Sequence, residues 1–309
     1  MWTLTENMRI RAIMLDNAST AADRAYANSQ QRYVRSLECM GRNDDSDDCH
    51  VVETKDNHRK IVALPLVGHY MHSQRDDAIT WLYEGDFSAE AAVVSVILAA
   101  NNKSVDDWNE YIQNKNASQS VTLTSHDHFC DVDDERGIIS RLMTEHVLDG
   151  YNKNGIPPHS LLLKVNDVCL LLNPMMSDGV ASNTRVTILK ITSTIIWAKT
   201  IESTSRTIMI PRHRFKFRLT YGQSFQLMRV QFPLRLAYAM TYNKSQSQTL
   251  KRTLIDCREQ PFCHGHLYVA SSRVRNCSDI KYYFHDDDIY VLEHKTSVVE
   301  NVVYQSLLI

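Results

Sequence analysis

One apolar run constrains the fold of this chain more than any other segment. Residues Val93–Ala100 read Val-Val-Ser-Val-Ile-Leu-Ala-Ala, which combines four β-branched aliphatic side chains with a single polar residue. Runs of this kind are typical of a strand that is buried on both faces of a parallel sheet. Ser104 follows as the predicted N-cap of a helix that carries Trp108 and Ile112 at helical spacing. A buried strand followed by a helix predicts an α/β fold.

Two blocks near the C-terminus contain side chains suited to binding phosphates. Ala239–Thr249 reads Ala-Met-Thr-Tyr-Asn-Lys-Ser-Gln-Ser-Gln-Thr, a short apolar strand that leads into a turn rich in hydrogen-bond donors. Such a turn can hold phosphate oxygens without a full glycine-rich loop. His264–Arg275 places three apolar side chains on one face of a short helix. Arg273 projects from another face of that helix.

Between the apolar run and these blocks, the sequence is typical of several short β-strands. Five short apolar segments are separated by polar turns and are predicted to be strands: Leu161–Val165, Leu170–Leu172, Arg185–Leu189, Thr194–Trp197 and Thr207–Pro211. Several short strands of this kind indicate a small β-barrel. We expect a turn at Ser182–Asn183 to survive, because asparagine tolerates positive φ far better than serine does.

The two C-terminal blocks resemble helicase motifs V and VI of the ATP-dependent 5′-to-3′ DNA helicases of the Pif-one family, and more closely those of Helitron transposons. They occur in the family's order, and Phe232–Ala237 precedes them as the corresponding segment does in relatives. The resemblance implies a RecA-like (P-loop NTPase-type) second motor domain with a parallel sheet. It also implies that a small β-barrel is inserted into that domain.

The resemblance implies roles for individual residues. Arg9 ends a stretch similar to motif IV, and Arg273 belongs to motif VI. Both would act as catalytic arginines that bind the ATP phosphates, and Gln248 would contact the same nucleotide. DNA contacts would come from Asn102, after the buried strand. The motif V turn would add four more DNA contacts: Lys244, Ser245, Gln246 and Thr249.

Three sites in the sequence depart from the family pattern. Ser247 stands where relatives have glycine, which costs about 1 to 2 kcal/mol if that residue has positive φ. Ser271 replaces a large apolar residue and puts a hydroxyl on the packing face of the motif VI helix. Ala100–Asn101 stands where relatives have Pro-Thr before the asparagine. We interpret Ser247 and Ser271 as drift in a transposon-derived copy.

A basic segment follows the predicted barrel strands. Its six basic residues are interleaved with two phenylalanines, Phe215 and Phe217: Arg206, Arg212, His213, Arg214, Lys216 and Arg218. This composition suits single-stranded DNA, because phosphates need positive charge and each stacked base contributes about 1 to 3 kcal/mol. Arg212, Arg214 and Lys216 are therefore candidate DNA-binding residues. An amphipathic strand with a solvated basic face explains the segment equally well.

Composition limits the remaining classes of function. The formal net charge is −2, so any DNA contact must come from a local groove. Seven scattered cysteines without a C-x-x-C pattern favour a reducing compartment. No apolar run approaches the roughly 20 residues of a membrane span, and no signal peptide is evident, so we expect no membrane partner. The acidic run Asp44–His50 and the cluster His126–Asp131 lack four convergent ligands, so we expect no metal site.

The chain contains no P-loop sequence. It has nine glycines and none is followed by lysine, while Asp134–Glu135 follows acidic residues and cannot serve as a Walker B pair. We therefore expect the C-terminal half of a helicase, inactive by itself. It would use ATP and Mg²⁺ only when a P-loop domain, in cis or in trans, completes the cleft. A non-catalytic module for single-stranded DNA and a decayed transposon-derived remnant are the alternatives.

These expectations divide the chain into four segments. Residues 1–120 would begin the second motor domain, 121–154 would form an acidic connection, 155–225 the barrel, and 226–309 the remainder with motifs V and VI. The resemblance further implies a nuclear protein with a role in DNA repair, recombination or telomere maintenance.

Overall fold

The computed structural model describes most of the chain. The described ranges are 20–42, 50–55, 59–63, 70–71, 74–85, 89–129, 155–201, 205–221, 223–246, 248–284 and 298–304. Arg9, Ser247 and Asp134–Glu135 lie outside them, as do most of the acidic run before His50 and the end of the cluster that begins at His126. Within the part of the chain that is described, no helix has both the length and the apolar character needed to cross a bilayer.

The helices and strands are labelled in chain order. The helices are α1 (Ala21–Arg42), α2 (Arg75–Leu82), α3 (Ala89–Val94), α4 (Asn102–Lys115) and α5 (His266–Ser271). The first nine strands are β1 (His50–Thr54), β2 (Arg59–Ala63), β3 (Tyr70–Met71), β4 (Ser95–Ala99), β5 (Ser120–Thr124), β6 (His126–Phe129), β7 (Ser160–Lys164), β8 (Val168–Leu171) and β9 (Arg185–Ile191). The others are β10 (Ile195–Thr200), β11 (Thr207–Pro211), β12 (His213–Tyr221), β13 (Gln223–Gln231), β14 (Leu234–Leu236), β15 (Ala239–Thr241), β16 (Arg252–Asp256), β17 (Ile280–Tyr283) and β18 (Val298–Val302).

The chain forms two compact units. The first comprises Met1–Asp86, Val94–Asp106 and Ala239–Ile309, and the second comprises Phe87–Val93 and Asp107–Tyr238. The second unit contains the predicted barrel segment and extends beyond it at both ends. The predicted acidic connection begins differently from expectation, because Ser120–Thr124 and His126–Phe129 are strands of this unit.

The first unit is organised around a parallel sheet of five strands in the order β15-β4-β16-β17-β3. β4 pairs with β15 on one side and with β16 on the other, and all five of its residues are buried. Apolar side chains from the sheet and its helices form the core: Val96, Leu98, Met240, Ile255, Leu267 and Ile280. The α/β class and the parallel sheet predicted from the apolar run are confirmed.

Two boundaries near β4 differ from the prediction. The strand begins at Ser95, because the preceding Ala-Glu-Ala-Ala-Val-Val segment, rich in helix-forming alanine and glutamate, forms α3. The predicted N-cap Ser104 lies in the first turn of α4. Asn101 caps that helix instead, since its side-chain oxygen accepts a hydrogen bond from the Ser104 amide at 2.8 Å.

The second unit is built from antiparallel sheets. Their strand orders are β11-β10-β9-β8-β14, β12-β13-β6 and β5-β7. Buried aliphatic and aromatic side chains fill the core: Leu163, Val186, Ile188, Ile196, Ile210 and Phe232. The short strands are therefore confirmed. Their pairing among the described residues gives three separate sheets, so the barrel stays a prediction. The turn at Ser182–Asn183 forms, with Asn183 at φ 63°.

Candidate functional site

The segment that resembles motif V comprises residues 242–249, and we call it the motif V turn. It follows the carboxyl end of β15 in the parallel sheet. Residues Tyr242–Ser245 form a 3-10 turn. Tyr242 is fully buried, and its hydroxyl donates to the Asp256 carbonyl at 3.1 Å. Ser245 is also fully buried, and its hydroxyl donates to the Tyr242 carbonyl at 2.7 Å. The Ser245 side chain therefore stabilises the turn internally, contrary to its predicted role as a DNA contact.

Other predicted residues of this turn lie nearer the surface. Gln246 and Thr249 are exposed, while Lys244 and Gln248 are half-buried. The Gln248 side-chain amide donates to the Lys244 carbonyl at 3.2 Å, which closes the turn on itself. Gln246 and Thr249 are thus exposed to solvent, as is Asn243 of the same turn.

Arg273 connects the two blocks. Its Nε donates to the Val269 carbonyl at 2.7 Å and its Nη2 donates to the Ser272 hydroxyl at 2.6 Å. Its Nη1 donates to the Ser245 carbonyl at 3.3 Å, and the Leu250 amide donates to the Arg273 carbonyl at 3.0 Å. The two blocks, far apart in sequence, therefore lie side by side. The half-buried guanidinium is held in a fixed position against the motif V turn.

The unusual serine of motif VI is accommodated by neighbouring tyrosines. Ser271 is fully buried, and its hydroxyl lies 3.0 Å from the Tyr282 hydroxyl. The Ser271 carbonyl accepts a hydrogen bond from Tyr33 of α1. Burial raises the pKa of the Tyr33 hydroxyl, which therefore stays protonated. The contact with Tyr282 offsets the cost expected from a hydroxyl at this packed position, whereas Tyr33 binds the backbone of the same residue.

His266 is a further buried residue of the second block, and its ring contacts the first block. Its ring meets Tyr242 edge-on at 5.5 Å and Phe262 at 5.1 Å between centroids. The side chain is buried, and neither ring nitrogen has a hydrogen-bond partner among the described residues. Burial lowers the pKa of His266, so the ring is neutral near pH 7. Sequence analysis did not identify this contact, since a lone histidine at the start of a helix carries no distinctive signal.

Asn102 lies at the same end of the sheet as the motif V turn, the end at which the parallel strands have their carboxyl termini. It is the first residue of α4, which follows β4, and it is half-buried. Ala99 at the end of β4 pairs with Thr241 at the end of β15. Asn102 and the turn therefore follow the carboxyl ends of neighbouring parallel strands, the edge at which open α/β sheets bind ligands.

Residues 213–218 of the basic segment lie in β12 of the second unit, and their side chains alternate between two faces. Phe215 and Phe217 are buried, whereas Arg214, Lys216 and Arg218 are exposed. The two phenylalanines are therefore not available to stack on bases, and that part of the prediction is wrong. The exposed basic side chains and the buried phenylalanines fit an amphipathic strand, and contact of Arg214 and Lys216 with DNA stays a prediction.

Arg212 has a different environment from its basic neighbours. Its guanidinium donates to the Thr124 carbonyl at 2.8 Å, to the Gln231 side chain at 3.1 Å and to the Ser193 carbonyl at 3.3 Å. It also stacks 4.7 Å from the centre of the Phe232 ring. Arg212 therefore holds strands of the second unit together, which the sequence pattern of the basic segment did not reveal.

Comparison with solved structures identifies proteins of similar fold. The crystal structure of Pif1 helicase from Candida albicans matches with a TM-score of 0.53 at 17% identity, covering 86% of this chain and 57% of that chain. Pif1 helicase from Bacteroides in complex with ADP-AlF3 and ssDNA gives a TM-score of 0.51 at 17% identity, covering 81% of this chain and 48% of that chain. This chain has the fold of part of these helicases and spans about half of their length.

A curated relative shows the likeness in sequence over a short stretch. The ATP-dependent DNA helicase Pif1 of Campylobacter jejuni is 43% identical over 53 residues, which amount to 17% of this chain and 12% of the relative. No family profile matches the chain. The resemblance to Pif1 helicases is thus confirmed in the fold and in this stretch of sequence.

Proposed function

We propose that this chain is the second motor part of a Pif1-like DNA helicase, and that it couples ATP hydrolysis to unwinding when a P-loop domain completes the nucleotide site. The contact of the Arg273 guanidinium with the Ser245 carbonyl at 3.3 Å carries the proposal. It joins the two motifs that the family uses at one edge of a parallel sheet.

Arg273 supplies positive charge to the nucleotide in this proposal. The Val269 carbonyl and the Ser272 hydroxyl hold the guanidinium in place before any ligand arrives. Preorganised charge stabilises the transition state of phosphoryl transfer without a reorganisation cost. An arginine in this role raises the rate by roughly 10³ to 10⁵.

The donors of this chain suit ATP phosphates better than they suit Mg²⁺. Arg273 and Gln248 offer N–H groups, which pair with phosphate oxygens. Among the described residues, no group of three or more His, Cys, Asp or Glu side chains is placed to hold a metal ion. In the proposed helicase, the P-loop domain holds Mg²⁺, and this chain contributes the arginine.

Single-stranded DNA is the proposed polymeric substrate. The structure of Bacteroides Pif1 is a complex with ADP-AlF3 and ssDNA, and this chain shares its fold. Asn102, Gln246 and Thr249 offer polar side chains at the sheet edge next to Arg273. The motif V turn therefore carries two of the proposed DNA contacts, and its Ser245 carbonyl accepts a hydrogen bond from the proposed nucleotide contact, Arg273.

A second candidate function is a non-catalytic module that binds single-stranded DNA. The exposed cations of β12 favour it, because a basic strand face binds phosphates without nucleotide turnover. The ATPase measurement below separates the two functions.

A chimera tests the helicase proposal. This chain replaces the matching part of Bacteroides Pif1, so that the P-loop domain of that helicase is present. We expect DNA-stimulated ATPase activity in the chimera, a loss of roughly 10³-fold or more with Arg273→Ala, and no turnover by this chain alone. Arg24→Ala, an exposed arginine of α1, serves as the matched control and leaves the rate unchanged. Full activity of the Arg273→Ala chimera, or hydrolysis by the isolated chain, contradicts the proposal.

A further inference from the structure

β11 lies at the edge of the five-stranded sheet in the second unit. Among the described residues it pairs with β10 and with no other strand. The Thr200 amide donates to the Arg206 carbonyl at 2.8 Å, so the even-numbered residues that follow Arg206 direct their backbone groups toward β10. The backbone groups of Thr207, Met209 and Pro211 therefore point away from the sheet. We call this row of backbone groups the β11 edge.

The β11 edge offers both donors and acceptors of hydrogen bonds. Its donors are the amides of Thr207 and Met209, and its acceptors are the carbonyls of Thr207, Met209 and Pro211, because proline has no N–H. A phosphate chain only accepts hydrogen bonds from the protein and cannot pair with the carbonyls. An extended peptide presents amides and carbonyls in alternation and can pair with both.

An apolar surface lies directly beside the β11 edge. Met209 lies opposite Trp197, and Pro211 lies opposite Ile195. Met209 is 57% exposed, Pro211 is exposed, and Trp197 and Ile195 are half-buried. The side chains that alternate with them along β10 and β11 are buried in the core. We call these four outward-facing residues the apolar strip.

Exposed cations border the apolar strip. Lys199 lies opposite Thr207, and the Lys190 Nζ lies 5.2 Å from the centre of the Trp197 ring. Both lysines are exposed, as is Arg206, and β9, β10 and β11 contain no Asp or Glu. A second copy of the chain at this edge would double the cations on one sheet without adding a carboxylate, which opposes self-pairing. Charge complementarity instead favours an acidic segment of another protein.

We propose that the β11 edge binds an extended segment of a partner protein as an additional strand of this sheet. The segment pairs its backbone with Thr207 and Met209 and places apolar side chains, at alternating positions, beside the apolar strip. Acidic residues at its end lie near Lys199 and Arg206. In strand addition, backbone pairing supplies affinity and alternate side chains supply specificity. The interaction goes beyond the proposed helicase function and requires neither nucleotide nor DNA.

A designed peptide tests the proposal on the full chain. The fluorescein-labelled probe Asp-Glu-Val-Thr-Val-Thr-Val-Glu-Asp has acidic residues at both ends, because either chain direction can pair with an edge strand. The matched control peptide has proline in place of the central valine, which removes one N–H and leaves the charge unchanged. We expect the control peptide to bind about tenfold more weakly by fluorescence anisotropy. Saturating probe should slow hydrogen exchange of the Thr207 and Met209 amides about tenfold or more.

Variants of the chain separate the apolar contribution from the electrostatic one. Met209→Thr should weaken binding of the probe about fivefold, because it removes apolar surface and keeps a side chain suited to a strand. Lys199→Glu should weaken it about threefold at low salt, with a smaller effect at about 0.5 M salt. Met176→Thr is the matched control, since it removes a methionine that is 85% exposed and lies outside these three strands, and it should leave binding unchanged. Urea unfolding establishes that each variant is folded.

Four results would overturn the proposal. They are equal binding of the two peptides, no binding of the probe at about 1 mM, slowed exchange at amides outside the β11 edge alone, and displacement of the probe by oligothymidylate. Self-association of the chain that Met209→Thr abolishes would assign the edge to a second copy and would also overturn it. None of these results alters the ATPase activity expected of the chimera, so the proposed helicase function is tested separately.

Discussion

The variant Arg229→Met tests how much the buried ion pair between Arg229 and Asp127 stabilises the pairing of β6 with β13. The Arg229 Nε lies 3.0 and 3.2 Å from the two carboxylate oxygens of Asp127, and Nη2 lies 2.9 Å from one of them. Nη1 donates to the Pro157 carbonyl at 3.1 Å. The side chains of Arg229 and Asp127 are 0% and 4% exposed, so solvent does not screen the pair.

The expected magnitude follows from what remains around the carboxylate. In Arg229→Met, Asp127 keeps the Ser125 hydroxyl at 2.5 Å and the His159 ring nitrogen at 3.4 Å. Breaking a buried pair by removing one partner costs roughly 3 to 5 kcal/mol. Because Ser125 and His159 still contact the carboxylate, we expect a loss of about 3 kcal/mol, the lower end of that range. Combining Arg229→Met with Asp127→Leu removes both charges and is expected to recover most of the loss.

Native-state hydrogen exchange of the β6 and β13 amides reports the free energy of opening for these strands. Arg214→Met is the matched control, since it removes an exposed arginine from the other face of the same hairpin, and we expect a change within about 0.5 kcal/mol. A loss below about 1 kcal/mol in Arg229→Met would refute the reasoning. So would a double variant as unstable as the single one.

Three further predictions concern buried polar groups. Asp167 accepts hydrogen bonds from the side chains of Gln113, Asn116 and Tyr238, so Asp167→Asn should lower the free energy of unfolding by roughly 2 to 4 kcal/mol in urea titrations; a change below about 1 kcal/mol would contradict this. Burial holds the pKa of His266 below 6.5, so the unfolded state takes up the proton first and stability falls as the pH drops below about 6.5. The variant His266→Leu should therefore show a smaller decrease of Tm on the acid side of a plot of Tm against pH. An unaltered plot would argue against this explanation. Tyr33→Phe, which removes the bond to the Ser271 carbonyl, should cost about 1 kcal/mol by thermal unfolding, and a neutral result would show that this bond contributes little.

The parallel sheet was predictable because one segment satisfied a demanding criterion. A run with a single polar residue that is too short for a core helix must be covered on both faces, and β4 pairs with a strand on each side in the sheet. The proximity of Arg273 and Ser245 followed from the motif resemblance rather than from periodicity. Neither block contains a local sequence pattern that predicts contact with the other block.

The remaining features depend on contacts between segments that are distant in sequence, and local sequence patterns do not predict such contacts. Asn101 and Ser104 are both good capping residues, and only the backbone path after β4 decides between them. Alternation along β12 predicted two faces, but it did not say that the phenylalanines would be buried. Arg212 resembled its basic neighbours in sequence, yet its partners come from three other segments of the chain.

Buried hydroxyl groups that bind one another constrain the order in which they evolve. Ser271 introduced opposite an apolar side chain would leave its hydroxyl without Tyr282, whereas a tyrosine already present would receive the serine at little cost. Introducing the serine after the tyrosine therefore costs less than the reverse order. Once both are in place, reversion of position 271 to a large apolar residue must also find space among packed neighbours. The contact between Ser271 and Tyr282 then makes a change at position 271 costly.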